Sequence, residues 1–153
     1  MAADELFAGI ICDGFHLSDS VVKVFARAKG LDRLILVSDV ALLGGLGPGI
    51  YKWGNFDVEV YKDGHLGFPG ANILAGAGHL LDWDIVHFIK FTGNDLAEVI
   101  PLCTTNPAKA ITMNEKYGKL EIGSPANLTL FYYHTKNDKL QIIRTIRMGE
   151  IIF

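Results

Sequence analysis

Residues 6–40 read LFAGIICDGFHLSDSVVKVFARAKGLDRLILVSDV, and the pattern of this stretch decides the fold class. The apolar run 6–12 is continuous rather than alternating, which is typical of a strand buried on both faces of a parallel sheet. A second such run, 34–37, follows a segment with apolar residues at helical spacing between a cap at Ser18 or Asp19 and Gly30. Strand, helix and strand in this order predict a right-handed βαβ unit and an α/β fold.

Polar residues follow each of the two predicted strands, so we expect both groups at one edge of the sheet, where α/β proteins place their chemistry. Asp39 comes directly after a buried strand, and a carboxylate there can transfer protons. A helix-capping or loop aspartate is an equal alternative for that position. His16 holds the equivalent place after the first strand, and a structural histidine is its alternative.

The middle of the chain contains two glycine-rich segments. Residues 44–49 lack the spacing of a dinucleotide-binding loop and the lysine of a phosphate-binding loop, which favours a surface loop. Alternation in 56–61 and the turn signal at 62–64 predict a short antiparallel hairpin. The second segment, 70–79, precedes a predicted helix, and its backbone amides are candidates for contact with a polar ligand.

The last part of the chain changes from helical to strand patterns. An apolar helical face ends at Gly93, Asn94 or Asp95 can cap a further helix, and Pro107 suits the first turn of another. From Gly118 onward the pattern predicts a small antiparallel sheet with strands near 119–122, 128–133, 140–147 and 150–153.

Composition narrows the function classes. The 153 residues include 14 basic and 17 acidic side chains without a block of like charge, so we expect no nucleic-acid partner. Apolar runs are far shorter than the ~18 residues that span a bilayer, and the N-terminus is acidic, which predicts a cytoplasmic protein without a membrane partner. Cys12 and Cys103 are interpreted as reduced core residues. Three histidines lack a partner at metal-ligand spacing and are interpreted as structural or surface residues: His65, His87 and His134.

Five short motifs follow one another over nearly the whole chain, at residues 13–17, 33–40, 74–76, 105–108 and 118–128. Each motif is weak alone, but the five together are specific. In order and spacing they resemble the C-terminal part of the N-acetylglucosamine-6-phosphate deacetylases of the amidohydrolase superfamily.

That resemblance implies a (β/α)8 barrel with a divalent metal, usually zinc, and a small β-sandwich assembled from both ends of the chain. It implies that Asp39 is the general base toward a metal-bound water and then the general acid toward the leaving amine. The histidine of the DG-x-H motif corresponds to His16, which would contact an amino sugar substrate. Leu74, Ala75 and Gly76 would lie near the sugar and its acyl group.

The resemblance covers only the last two barrel strands and their helices. It predicts that 1–117 form the C-terminal part of the barrel, with a hairpin insertion near 50–69, and that 118–153 form strands of the β-sandwich. The family's metal ligands, a glutamate and two histidines, would lie upstream, so Asp39 would reach the metal only through the bound water. We therefore expect the isolated chain to be inactive and the full-length protein to be a homo-oligomer.

Two positions depart from the family pattern. Ser38-Asp39-Val40 stands where these deacetylases usually read Thr-Asp-Ala, and residues 77–79 read Ala-Gly-His where a hydroxyl usually follows Leu-Ala-Gly. A related amide or sugar derivative is therefore an alternative substrate.

Two other hypotheses remain open. The chain is alternatively a stand-alone, non-enzymatic binding module, in which loss of six strands would expose Ile10, Ile11, Leu34 and Leu36 and favour association. A small nucleotide-binding domain is the least favoured hypothesis, because both glycine-rich segments fail the phosphate-binding fingerprints.

Overall fold

A parallel βαβ unit opens the fold and positions the candidate site. In the computed structural model, which describes residues 3–153, the strands β1 (Ala8–Ile10) and β2 (Leu34–Leu36) are parallel neighbours. Helix α1 (Asp19–Lys29) connects them. The predicted βαβ unit is therefore confirmed, and the residues that follow the two strands leave the sheet at the same edge.

The ends of α1 lie where the sequence predicts them. Ser18 is the N-cap residue, although its hydroxyl contacts the Ser20 hydroxyl at 3.1 Å instead of a backbone amide. Gly30 ends the helix with φ 78°, a conformation that glycine adopts without a steric penalty, and its N–H donates to the Ala26 carbonyl.

A three-stranded antiparallel sheet follows β2. It consists of β3 (Gly49–Trp53), β4 (Phe56–Val60) and β5 (Leu66–Gly67), one strand more than the hairpin expected from the sequence. We call this sheet the insert. Its small core contains Leu43, Val58, Val60, Leu66 and Ala75.

The helices of the second half pack against the first βαβ unit. They are α2 (Leu81–Thr92), α3 (Leu96–Val99) and α4 (Thr105–Ala110). A left-handed Gly93 ends α2, and Asp95 caps α3 in a capping box with Glu98. These boundaries confirm the helix signals in the sequence.

The C-terminal residues form a separate antiparallel sheet of β6 (Leu128–His134), β7 (Lys139–Arg147) and β8 (Glu150–Ile151). The strand predicted at 119–122 is wrong. This segment consists of turns and irregular backbone, its Leu120 and Ile122 side chains are exposed, and the Ser124 N–H closes a turn onto the Glu121 carbonyl. Alternating apolar residues alone do not form a strand when no neighbouring edge pairs with them.

One core connects β1 and β2 with α1, α2, α3 and β7. Ile10, Leu34 and Leu36 lie in that core and are at most 5% exposed, so the expectation that they would be exposed is wrong. Because side chains alternate along a strand, these three face the helices, and the opposite face carries Val37, which is 40% exposed. Ile11 is half-buried. The expectation of strands buried on both faces is likewise not met in this chain.

No helix within residues 3–153 is long and apolar enough to cross a membrane.

Candidate functional site

The loop after β1 is held by one aspartate. Asp13 is 2% exposed, and its Oδ1 accepts hydrogen bonds from the backbone N–H groups of Phe15 and His16, each at 2.9 Å. Its Oδ2 lies 2.8 Å from Nδ1 of the His16 ring. Burial alone would raise the pKa of Asp13, but the amides of His16 and Phe15 and the His16 ring hold that pKa below its usual value.

This arrangement fixes the side chain of His16. Because Asp13 is ionised, Nδ1 of His16 carries a hydrogen and donates a hydrogen bond to the carboxylate. The other ring nitrogen, Nε2, is left to bind a ligand, and the side chain is 26% exposed. With the hydrogen on Nδ1, Nε2 presents a lone pair, so a histidine oriented in this way is suited to accept a hydrogen bond from a ligand hydroxyl.

Asp39, the other predicted site residue, lies in a different environment. It is exposed and adopts φ 47°, in the left-handed region that few residues other than glycine, asparagine and aspartate occupy. The N–H of Val37 donates to the carbonyl of Ile10, which keeps the two strand ends side by side. Strained backbone of this kind clusters at functional sites.

The segment with Leu74, Ala75 and Gly76 lies between the insert and the residues that follow Asp39. Leu74 bridges to Gly67 of β5, and the N–H of Ala75 donates to the carbonyl of Leu66 at 2.9 Å. Ala75 is buried in the core of the insert. Leu74 lines a cavity of about 480 Å³ together with aromatic residues of the insert, Trp53, Phe56 and Phe68.

Gly76 is required at its position. Its φ is 107°, and a Cβ there would lie 3.0 Å from Cβ of Ala41. The backbone of the next residue, Ala77, pairs with that of Val40. The segment of Leu74, Ala75 and Gly76 thus lies beside the Asp39 segment, whereas within residues 3–153 no hydrogen bond joins Asp39 to His16.

The departure at 77–79 has a local structural reason. A side chain at Gly78 would collide with the backbone carbonyl of Gly64, so only glycine fits. His79 stacks on Trp83 with ring centroids 4.0 Å apart and an angle of 6° between the planes. Burial lowers the pKa of His79, which favours its neutral form.

His79 belongs to a continuous row of aromatic rings, which we call the ring column; the rings from Tyr61 to His87 are stacked, and Phe91 meets His87 edge-on. Adjacent centroids in it are 4.0–5.9 Å apart. In spatial order the column contains Tyr61, His65, Phe15, His79, Trp83, His87 and Phe91. Phe15 comes from the loop before His16, so the column packs the loop between the insert and α2. His65 and His87 thus have packing roles, as interpreted from the sequence, and His134 contacts Gln141 at 3.2 Å on the C-terminal sheet.

Sequence reasoning missed two residues of α2 that contact this loop. Nε1 of Trp83 donates to the carbonyl of Asp13 at 3.0 Å, and Oδ1 of Asp84 accepts the N–H of Cys12 at 2.8 Å. Asp84 is fully buried. A signal was present, because Asp84 lies three residues after Leu81 on the apolar face of the helix, where a charged residue needs a partner.

Metal-binding side chains are not gathered in the part of the chain that the structure describes. Within residues 3–153 no group of three or more histidine, cysteine, aspartate or glutamate residues is arranged to hold an ion. These residues do not fit a metal centre by themselves.

Comparison with known proteins identifies the family of this chain. The model of the amidohydrolase family matches residues 55–152. N-acetylglucosamine-6-phosphate deacetylase from Bos taurus is 29% identical over 155 residues, which are 99% of this chain and 36% of that protein. The enzyme of the same name from Haemophilus influenzae is 29% identical over 95% of this chain and 37% of its own length. The chain therefore spans little more than a third of the length of these relatives.

Solved structures agree with this match. The crystal structures of N-acetylglucosamine-6-phosphate deacetylase from Thermotoga maritima and Pasteurella multocida each have a TM-score of 0.84 and 29% identity to this chain. They are matched over 99% and 98% of this chain, and over 40% and 37% of their own chains. An α/β fold, motifs in the expected order and a family match over well over half of its residues lead to one conclusion: the chain belongs to the amidohydrolase family.

Proposed function

We propose that this chain is the C-terminal portion of a metal-dependent amidohydrolase that hydrolyses the acetamide of an N-acetylated amino sugar or its 6-phosphate. One structural observation carries the proposal. Asp39 and the Asp13–His16 pair follow neighbouring parallel strands at the same sheet edge, in a chain that aligns over 99% of its own length with part of N-acetylglucosamine-6-phosphate deacetylases. The substrate class is taken from those relatives.

Asp39 supplies the proton transfers in this proposal. Its carboxylate accepts a proton from the water that attacks the acetamide carbonyl, and it returns the proton to the nitrogen when the carbon–nitrogen bond breaks. The products are acetate and the free amine. Exposure of Asp39 at the end of β2 leaves it accessible to both groups.

His16, Leu74, Ala75 and Gly76 are the proposed substrate contacts. His16 is held by Asp13 with Nε2 available, so it can accept a hydrogen bond from a hydroxyl of the sugar. Gly76 lies against Ala41, and Ala77 pairs with Val40, so this backbone is beside the Asp39 segment where the proposal places the acyl group.

The domain assignment in this proposal follows from the resemblance to the deacetylases. We assign residues 1–117 to the C-terminal part of a (β/α)8 barrel, with the insert near 50–69, and 118–153 to strands of a small β-sandwich. The family's divalent metal, zinc in this proposal, would activate the water, and its ligands would come from residues outside 3–153.

The test is acetate release from N-acetylglucosamine 6-phosphate by the protein encoded by the complete reading frame that contains residues 1–153. We expect zinc-dependent deacetylation by that protein and none by residues 1–153 alone. Activity of the 153-residue chain above a blank, abolished by Asp39→Asn, would refute the prediction that the missing part is needed. A complete protein without any deacetylase activity would refute the proposed function.

A further inference from the structure

Two adjacent residues of α2 hold the first peptide groups of the His16 loop. Asp84 accepts the N–H of Cys12 at 2.8 Å, and Trp83 donates to the carbonyl of Asp13 at 3.0 Å. The two contacts join parts of the chain that are 72 and 70 residues apart in sequence. The loop is therefore fixed from α2 at its beginning, before it reaches the histidine.

The contacts continue from there to the ring of His16. Asp13, whose carbonyl is held by Trp83, binds the N–H and the Nδ1 of His16 through its carboxylate. The ring of Trp83 also stacks between His79 and His87, so it has little freedom to move. Hydrogen bonds and the peptide bond between Cys12 and Asp13 thus connect α2 to the His16 ring.

Asp84 itself is only partly satisfied. Its Oδ1 has the Cys12 amide, whereas its Oδ2 is buried without a hydrogen-bond partner among residues 3–153. A buried carboxylate oxygen without a donor is costly when charged. A carboxylate placed at such a cost on the apolar face of α2, with one oxygen on the Cys12 amide, indicates a role beyond packing.

We propose that Asp84 is a positioning residue for His16, which acts through the Cys12 amide to place the histidine of the proposed substrate site. The proposal rests on the role given to His16 in the proposed function. Asp84 does not contact the substrate; it sets where the loop begins.

The surroundings of Asp84 favour its protonated form. Burial raises its pKa to about 7, the Cys12 amide opposes this rise, and the carboxylates of Asp13 and Asp82 add to it. Burial and the nearby Asp84 carboxylate raise the pKa values of two thiols. Cys12 lies at the start of the His16 loop, and Cys103 ends the short 3₁₀ helix Ile100–Cys103 that follows α3. From α1 and β7 the same core receives apolar side chains such as Val22 and Leu140.

The experiment measures amide hydrogen exchange in the 153-residue chain by NMR between pH 4.5 and 8, with each rate divided by its intrinsic rate. Asp84→Asn keeps an oxygen acceptor without a charge, and Asp84→Leu removes the acceptor at similar volume. Asp82→Asn and Asp82→Leu are matched controls on the same turn. Amides of β7, such as that of Ile142, report the stability of the core.

We expect Asp84→Leu to lower the protection of the Cys12, Phe15 and His16 amides by about tenfold more than that of β7 amides. In Asp84→Asn the same loop amides should be better protected than in the unmodified chain. The ratio of the two protection factors should grow about tenfold per pH unit between about pH 4 and pH 7. Both Asp82 variants should follow the unmodified chain. Equal loss at the loop and at β7, or an unchanged loop in Asp84→Leu, would overturn the proposal.

A second readout uses the protein from the complete reading frame. Asp84→Leu should raise KM for N-acetylglucosamine 6-phosphate by about tenfold with little change in kcat, because it displaces a binding residue and not the proton-transfer residue. An equal KM in variant and parent would overturn the link to substrate binding. A parent without activity would refute the proposed function, while the exchange data would still decide the role of Asp84 in the loop.

Discussion

The two strand ends that carry the candidate site differ sharply in how they are held. After β1, Asp13 is buried and binds two amides and the His16 ring, and α2 holds the same loop from below. After β2, Asp39 is exposed on left-handed backbone. This chain therefore orients the proposed substrate contact through its own residues, whereas it leaves the proposed proton-transfer carboxylate exposed.

Replacement of Asp39 should give the largest effect, and it should lower activity without lowering stability. In the protein from the complete reading frame, Asp39→Asn should lower kcat/KM about 10³-fold, because a general base is lost. Stability in urea should be unchanged, because asparagine also adopts left-handed backbone and the side chain is exposed. A loss of activity below tenfold would contradict the role given to Asp39.

Replacement of Asp84 should change how stability depends on pH. The pKa of Asp84 is about 7 in the fold and near 3.8 when unfolded, so the folded chain holds a proton between those values that the unfolded chain releases. Its contribution to the free energy of unfolding is therefore fully present below pH 4 and falls by about 1.4 kcal/mol per pH unit up to pH 7. Asp84→Asn should remove this decline, measured by urea unfolding at several pH values. Asp82→Asn should keep it, and an identical decline in Asp84→Asn would show that Asp84 is not its source.

Replacement of Asp13 should break the well-held strand end. Asp13→Ala leaves the partly buried N–H groups of Phe15 and His16 without their acceptor, which should cost about 3 kcal/mol in the free energy of unfolding. The insert offers a matched control, because Asp63 pairs with His65 at 2.6 Å but is exposed. Asp63→Ala should cost less than about 1 kcal/mol. Similar losses in the two variants would mean that burial does not distinguish the two pairs.

The smallest effect is expected beside Asp39. Gly76→Ala introduces a Cβ 3.0 Å from Ala41 on backbone with φ 107°, which should cost about 2 kcal/mol. Gly70, in the same segment, has φ 73° and open space around it, so Gly70→Ala should cost about 1 kcal/mol. Thermal unfolding of both variants measures the difference. A Gly76 variant as stable as the Gly70 variant would exclude a close approach at this position.

The βαβ unit and the helix ends could be predicted because their signals are local. Helix α1 follows from apolar spacing with Ser18 before it and Gly30 after it, and both residues lie where expected. The strand predicted at 119–122 failed because pairing depends on a neighbouring edge, which the local pattern does not contain.

The candidate site was predictable only in part. Sequence order indicates that His16 and Asp39 follow adjacent strands, since parallel strands end at one edge. The ring column and the Asp84 contact join segments 50 to 72 residues apart in sequence. The helical pattern signals only that Asp84 needs a partner, and it does not indicate which residue that partner is. The left-handed Asp39 lies between β2 and Val40, which pairs with the distant Ala77, and no local pattern indicates this pairing.

We proposed that this chain is the C-terminal portion of a metal-dependent amidohydrolase. The coding sequence upstream of Met1 tests that proposal most directly. We predict an in-frame stretch that supplies the remaining strands with a His-x-His motif, a glutamate and two further histidines. A stop codon directly upstream, without such a frame, would contradict the claim and favour a binding module derived from this fold.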